Sequence, residues 1–281
     1  MNIGIIGLGI IGGSFAKAIR KRTAHTCLGT DTNPAAVEKA LEQEAISDVI
    51  TEENLSELDF VIVSLYPRGA VDYLLSHATL FKKGAIVIDV CGVKQFIVGA
   101  VSAALAQAGV RFVSCHPMAG REYSGFDFAV DNLFDGASFI ITPDESTDPA
   151  AAEIVREFAL SLGFHKVVSA SPAEHDRIIA YTSQLAHVVS SAYIKNPTVE
   201  RQAGFSAGSF KDMTRVARLN EEMWTELFLL NRDSLLTELD CLLASLGEYR
   251  AALAGGDGEA LRTLLAKGRA MKELSDRNLM K

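Results

Sequence analysis

The stretch with the clearest chemical capacity is Ser114-Cys-His-Pro-Met-Ala-Gly-Arg-Glu122. It follows an apolar run, Val110 to Val113, that reads as a parallel strand. A histidine at the carboxyl end of a strand in an open α/β sheet faces the crevice where such sheets bind ligands. Pro117 stops the strand and Gly120 lets the loop turn sharply. His116 is therefore a candidate proton-transfer group on a rigid element. The same position also suits a strand-end histidine that only caps loop backbone. Two further groups lie downstream. His175, Asp176, Ser183, Gln184 and His187 are polar residues in a helical stretch that is otherwise apolar. His175 and His187 are twelve residues apart, within about 120° of each other around a helix axis. Polar residues satisfied inside a helical core would give the same pattern. In Phe210-Lys-Asp-Met-Thr-Arg215, Lys211 and Arg215 are one turn apart with Asp212 beside them, a spacing that elsewhere marks a solvated charged face.

A cofactor for His116 to face is suggested by Gly7-Leu-Gly-Ile-Ile-Gly12, directly after the apolar run Asn2 to Ile6 and opening an amphipathic helix, Ile10 to Arg22. In GxGxxG between strand and helix, Gly7 makes the tight turn, Gly9 lets a pyrophosphate approach the backbone, and Gly12 lets the helix close on the strand. The helix start then offers free N–H groups and a positive dipole end to phosphates, through the backbone of Leu8, Ile10 and Ile11. The second strand, Thr26 to Thr30, ends in Asp31, 24 residues past Gly7, about where a carboxylate takes the adenosine ribose hydroxyls. A carboxylate there repels a 2′-phosphate, and Thr32 and Asn33 supply no arginine to bind one, so NAD is favoured over NADP. Asp31 also reads as a turn residue ahead of the helix start Asn33-Pro34; the two readings are compatible.

The elements that must position these groups alternate. Phe60 to Leu65 reads as a buried strand ending in Tyr66-Pro67, on the cofactor edge. Ala85 to Asp89 is the next strand and ends in Val90-Cys-Gly-Val-Lys94. Val93 to Ala108 reads as a helix, and Arg111 to Cys115 as the strand that delivers His116. Ser138 to Thr142 and His165 to Ser169 read as two more strands, with a helix from Pro149 to Leu162 between them. The order predicts an α/β domain over residues 1–170 with a doubly wound, mostly parallel sheet. From Ser171 only helices remain. Ser171-Pro-Ala-Glu174 is a capping box, and Glu221 to Leu253 reads as one long helix. Leu235, Leu239, Leu242, Leu246, Tyr249 and Leu253 form an a/d seam, which predicts a helical dimerisation domain over 171–281 or, alternatively, an intramolecular bundle.

Composition narrows the partners. A net charge of −8 over 281 residues argues against nucleic acid or an anionic membrane as the main partner. The four cysteines, Cys27, Cys91, Cys115 and Cys241, are scattered, so neither a metal site nor a disulfide framework is indicated. The start of the chain has no basic n-region, and no apolar run reaches the ~20 residues of a membrane helix. The expectation is a cytoplasmic protein acting on a small molecule.

Taken together, Gly7-Leu-Gly-Ile-Ile-Gly12, His116-Pro-Met-Ala-Gly120, His175-Asp176, Ser183-Gln-Leu-Ala-His187, Phe210-Lys-Asp-Met-Thr-Arg215 and Met223-Trp224 resemble the prephenate dehydrogenase family, which includes arogenate and cyclohexadienyl dehydrogenases. The likeness covers nearly the whole chain. It implies a Rossmann-type domain followed by an all-helical dimerisation domain, a homodimer, and NAD-dependent oxidative decarboxylation of prephenate to 4-hydroxyphenylpyruvate in tyrosine biosynthesis. It implies that His116 is catalytic and hydrogen-bonds the ring hydroxyl, that Arg215 holds a substrate carboxylate, and that His187 is a second histidine on the substrate side. Gly208 and Trp224 fall where the family lines its pocket, and Glu122, Lys211 and Asp212 match a charged group near its mouth. Two positions depart from the family pattern. Gly92 stands where many members have a serine that orients the histidine, and Arg121 stands where others have a small polar residue, as a further candidate for a carboxylate. Prephenate and arogenate, which differ by a keto group against an amine, are not separated. A β-hydroxyacid dehydrogenase is the runner-up among enzymes, but the lysine and glycine-rich motif it needs are not found. A non-catalytic NAD-binding regulator is the alternative outside enzymes.

Overall fold

The computed structural model describes residues 1–121 and 123–279. The chain forms two compact units, Met1–Asn231 and Arg232–Lys281. The first holds β1 (Asn2–Ile6), α1 (Ile10–Arg22), β2 (Thr26–Thr30), α2 (Pro34–Glu42), β3 (Asp48–Val49), β4 (Phe60–Val63), α3 (Pro67–His77), β5 (Ile86–Asp89), α4 (Gln95–Gln107) and β6 (Arg111–Pro117). It continues with β7 (Ser138–Ile141), α5 (Pro149–Ser161), β8 (Lys166–Ser169), α6 (Pro172–Ile179), α7 (Leu185–Ile194), α8 (Gly208–Thr214) and α9 (Glu221–Leu230). The second unit is a helix pair, α10 (Arg232–Ala254) and α11 (Gly258–Leu279).

The eight strands form one sheet in the order β3-β2-β1-β4-β5-β6-β7-β8. β1 to β6 are parallel, whereas β7 runs antiparallel to β6 and parallel to β8. The sheet is the doubly wound, mostly parallel, Rossmann-like one expected. Burial explains why its strands read as continuous apolar runs. Alternate residues point to opposite faces, and both faces are covered. Ile3, Ile5, Phe60, Ile62, Ile86, Ile88, Val113 and Cys115 enter one core, with Phe15, Phe134, Phe139 and Phe164. Ile6, Val61, Val63, Val87 and Phe112 enter the other, with Leu74, Ile97 and Leu105. A strand covered on both sides has no polar face to show in its sequence.

The order reverses between β1 and β4, and their carboxyl ends define the crevice. Gly7 sits there with φ +92°, and a Cβ on it would lie 2.4 Å from Ser64 O. Gly12 faces the same turn, where a Cβ would lie 1.9 Å from Gly7 O. Both positions are closed to side chains, so the two glycines are what let α1 start on top of β1.

In three places the helices differ from the sequence expectation. The helix opened by Ser171 does take its capping box, with Ser171 Oγ accepting from Glu174 N at 3.2 Å. However, one π-helical turn, Ala180–Gln184, separates α6 from α7. Such a turn takes up one extra residue, so His175 and His187 stand about one 100° step closer around the axis than uninterrupted helix allows. The predicted single helix from Glu221 to Leu253 is two helices, broken at Asn231 (φ −115°, ψ 27°). There the buried Asn231 amide donates to Asp176 O and Gln184 Oε1, both at 2.8 Å. Two buried bonds outweigh the helical continuity given up. The short helix expected over Phe210–Arg218 begins earlier and ends sooner, as α8. In the second unit the leucine seam is only partly covered. Leu235 is buried, but Leu246 and Leu253 are 54% and 65% exposed.

The glycine turn gives a stability prediction. Gly12→Ala forces α1 off β1 and is expected to lower stability by about 1–3 kcal/mol, the usual cost of overpacking. Gly9→Ala, whose Cβ meets nothing within 4 Å, is expected to stay within about 0.5 kcal/mol of the wild type. Urea unfolding of the two variants compares them directly; equal midpoints would contradict the turn geometry.

Candidate active site

His116 is the last residue but one of β6, half-buried, two residues beyond the parallel register that β6 shares with β5, in which Asp89 pairs with Ser114. Its surroundings are built from three directions. From the sheet, buried Lys94 donates Nζ–H to Asp89 Oδ2 at 2.5 Å and to the carbonyl of Cys115, the residue before His116. Both partners of this ion pair are fully buried. Removing one member of such a pair costs about 3–5 kcal/mol, because the other is left as an unpaired buried charge. The pair therefore holds the end of β6 firmly.

From α6, His175 Nε2 lies 2.9 Å from His116 Nδ1, and the two rings meet edge to face. His175 Nδ1 lies 2.8 Å from Asp176 Oδ1. The Asp176 carboxylate also accepts the backbone N–H of Lys94 at 2.8 Å and of Gln95 at 2.9 Å. These are the free N–H groups at the start of α4, which has no side-chain cap of its own, so Asp176 meets them and the positive end of the helix dipole. From α9, Leu227 approaches the same wall. A Cβ built on Gly92 would lie 3.6 Å from Leu227 Cδ2 and 3.8 Å from His116 Nε2. One turn earlier on α9, Trp224 stacks on His187, with ring centroids 3.9 Å apart. His187 Nδ1 donates to Ser183 O at 2.8 Å. The break at Asn231 and the Gln184 side chain, whose Nε2 reaches Leu227 O at 3.4 Å, tie α9 to this helix.

Electrostatics favour neutral imidazoles. Burial pushes His116 well below the ordinary histidine range, and His175 and the Lys94 ammonium push the same way. Burial also lowers His175, against the opposing pull of Asp176. The Cys115 and Cys91 thiols are raised well above their usual range by burial, so neither is a ready thiolate.

On the glycine turn, Gly9 caps α1 with no side-chain bond, and its open Cβ direction leaves room for a group against the backbone. Asp31 stands at the end of β2, its Oδ2 accepting Leu8 N at 2.6 Å and its Oδ1 accepting Asn33 N at 2.8 Å. The Leu8 side chain is fully buried and its N–H is taken by Asp31, so Leu8 offers neither to a ligand; Ile10 and Ile11 are half-buried in the first turn. Tyr66, 47% exposed, caps α3, and Pro67 is buried at its first position. The open backbone at Gly9, an uncapped helix start and a carboxylate fixed at its rim suit a dinucleotide. Among the described residues no cluster of histidine, cysteine and carboxylate groups suits a metal.

The remaining predicted residues lie on exposed elements. Gly208 opens α8, Lys211 and Asp212 lie along it, and Arg215 follows its last turn; all are exposed, as is Arg121 in the loop after β6. Glu122 lies outside the described residues. Sequence reasoning left Lys94, Asp89 and Asn231 out of the site and noted His175, Asp176 and Gln184 only as polar positions within motifs. The available signals were an acidic residue closing a buried strand and a capping box that aims the next two polar residues inward.

Residues 15–168 match the family model "Prephenate dehydrogenase, nucleotide-binding domain" and residues 171–267 match "Prephenate dehydrogenase, dimerization domain". A prephenate dehydrogenase of Bacillus subtilis is 30% identical over 92% of this chain and 71% of its own length. The crystal structure of prephenate dehydrogenase from A. aeolicus in complex with hydroxyphenyl propionate and NAD+ superposes with a TM-score of 0.85 at 28% identity, covering 97% of each chain. Synechocystis arogenate dehydrogenase superposes with a TM-score of 0.80 at 28% identity, over 98% of this chain and 100% of that one. With two family models spanning most of its length, the chain belongs to the prephenate dehydrogenase family of oxidoreductases.

Proposed function

We propose that this protein carries out the NAD-dependent oxidative decarboxylation of prephenate to 4-hydroxyphenylpyruvate. The observation that carries the reading is the neutral, half-buried His116 at the carboxyl edge of a sheet whose switch point bears a dinucleotide turn. The A. aeolicus relative, bound to NAD+ and a hydroxyphenyl acid, supports both halves of the site. Bound NAD supplies the acceptor for the hydride that leaves C4. His116 takes the proton of the C4 hydroxyl as that hydride departs, which suits a base held neutral at pH 7. The electron pair of the C1–carboxylate bond then enters the ring as carbon dioxide leaves. The ring becomes aromatic, and the proton returns from His116 to the phenolate oxygen. Arg215 holds a substrate carboxylate, Arg121 is a further candidate for one, and Gly208, His187 and Trp224, the last two stacked on each other, line the substrate pocket. Arogenate is the second reading, supported by the likeness to the Synechocystis enzyme; comparing kcat/KM for the two substrates decides between them.

The same proposal assigns residues 1–170 to NAD binding and 171–281 to substrate binding and dimerisation. Self-association is supported by the match to a dimerisation domain and by Leu246, Leu253, Leu265 and Met271, all more than half exposed on α10 and α11. No helix among the described residues is long and apolar enough to cross a membrane, in keeping with the cytoplasmic location we propose.

Four measurements test the assignment. NAD is expected to give a higher kcat/KM than NADP, and Asp31→Ala to narrow the gap; a wild type that prefers NADP removes Asp31 from the ribose. His116→Asn is expected to lower kcat by about 10²–10⁴-fold, the range of a positioned general base, with NAD affinity unchanged. Because His116 is shifted downward, its basic form persists below the ordinary imidazole range. The kcat/KM profile is therefore expected to be flat at neutral pH and to fall only below about pH 6.5; an acid limb above neutrality would show that a different group titrates. Finally, Arg215→Gln is expected to raise KM about 10- to 150-fold, the equivalent of a charge-assisted hydrogen bond, with kcat little changed, because a remote carboxylate is held alike in ground and transition states. Arg215→Lys should recover part of this, since lysine lacks the planar fork. A large fall in kcat at constant KM would instead place Arg215 at the reacting centre.

A further inference from the structure

The hydrogen bonds behind His116 have a direction that can be read from one end to the other. Backbone N–H groups only donate. Lys94 N and Gln95 N therefore fix both Asp176 oxygens as acceptors. His175 Nδ1, 2.8 Å from Asp176 Oδ1, must donate to it. A neutral imidazole carries one N–H and one lone pair, so the His175 lone pair is on Nε2. That atom faces His116 Nδ1 at 2.9 Å, and the contact is a hydrogen bond only if His116 carries its proton on Nδ1. The lone pair of His116 is then on Nε2, the atom beside Gly92.

We infer that His175 and Asp176 are positioning residues that set the tautomer of His116, presenting its Nε2 lone pair to the substrate hydroxyl. The inference rests on the assignment of His116 as proton acceptor and deepens it. It also supplies what Gly92 does not: without a side chain on the Nε2 side, the ring is oriented from the Nδ1 side instead. The charged and titratable groups around the pair are Lys94 and Asp89 beneath the sheet end, Cys115 on β6, Cys91 beside Gly92, and Asp176 itself. The Lys94 ammonium opposes a lasting charge on either ring. When His116 takes a proton on Nε2, its Nδ1–H stays bonded to His175, and the Asp176 carboxylate, one ring away, faces the new charge. Lys94 favours return of the proton. The arrangement parallels the carboxylate–histidine pair of a hydrolase triad, with a second imidazole interposed.

The wild-type protein provides the first test. In histidine labelled with ¹⁵N, two-bond proton–nitrogen correlations at neutral pH distinguish the tautomers, and the His116 signal is identified by its loss in His116→Asn. The expected result is Nδ1–H on His116 and on His175. Nε2–H on His116 would overturn the inference even if prephenate were turned over. Conversely, Nδ1–H with no turnover of prephenate or arogenate would leave the tautomer assignment standing and overturn the proposed function. The variants give the second test. In His175→Asn the side-chain amide nitrogen takes the place of Nδ1 and the acceptor at the Nε2 place is lost. His116 is expected to populate Nε2–H, and kcat to fall by about 10²–10⁴-fold at unchanged KM for NAD. His175→Gln can return an amide oxygen to the Nε2 place and is expected to restore the Nδ1–H signal and much of kcat. A His175→Asn enzyme that loses kcat while His116 keeps Nδ1–H, or a His175→Gln enzyme no better than His175→Asn, would reduce His175 to a packing role and overturn the inference.

Discussion

A buried carboxylate needs donors, and the Asp176 carboxylate is where the site-forming parts of the first unit meet that need. It takes two backbone N–H groups from the start of α4 and one ring N–H from His175, while its backbone carbonyl takes the Asn231 amide. The desolvation cost of an ionised carboxylate is large unless every such bond is made. The helix α6, the loop from β5 to α4 and the end of α9 are therefore locked to one another through a single residue, the first two by its carboxylate and the last by its backbone carbonyl. Lys94 adds a second lock at the same place. Its backbone serves Asp176, and its ammonium holds Asp89 and the Cys115 carbonyl. Because His116 follows Cys115 directly, its backbone inherits this rigidity and its ring is clamped by His175.

The parts of this design that could be read in the sequence are those whose physics is local. Gly7, Gly9 and Gly12 announce a strand-turn-helix because each is required within a few residues of the others. His116 announces itself because Pro117 and Gly120 end its strand, and Ser171 to Glu174 because a capping box is a four-residue device. What escaped was set by partners far away in the chain. Asn231 breaks a helix that every local signal continues, because Asp176 and Gln184, 55 and 47 residues earlier, receive its amide. The antiparallel turn-over of β7 leaves no trace in Ser138–Ile141, since Phe139 and Ile141, alternate residues that enter one core, read the same in either direction. The contact of His175 with His116 spans 59 residues and depends on how α6 lands on the sheet.

The π-helical turn between α6 and α7 belongs to the same class. Nothing in Ala180-Tyr-Thr-Ser-Gln184 demands it by propensity, and Thr182 Oγ1 accommodates by donating to Ile178 O at 2.9 Å. Its effect is on register. It rotates the α7 face so that His187, stacked on Trp224, and Gln184, bonded to Asn231, sit on the same side as His175 and Asp176. Wide turns of this kind are costly in an isolated helix and occur where a site needs one face to carry groups that 3.6-residue spacing would spread apart.

These constraints also explain how a glycine is tolerated at position 92. A residue that orients a catalytic imidazole must hold one of its two nitrogens, and the nitrogen that accepts the substrate proton is better left unencumbered. Here Nδ1 is held by His175, and a Cβ on Gly92 would lie 3.8 Å from Nε2 and 3.6 Å from Leu227. A hydroxyl at 92 would sit within reach of Nε2 and, with His116 as the proposed proton acceptor, would compete there with the substrate hydroxyl. Orientation from behind the ring, through a charge fixed on backbone amides, avoids that competition. It also ties the basicity of His116 to groups behind its ring: burial, His175 and Lys94 lower it, and the Asp176 carboxylate stands one ring away.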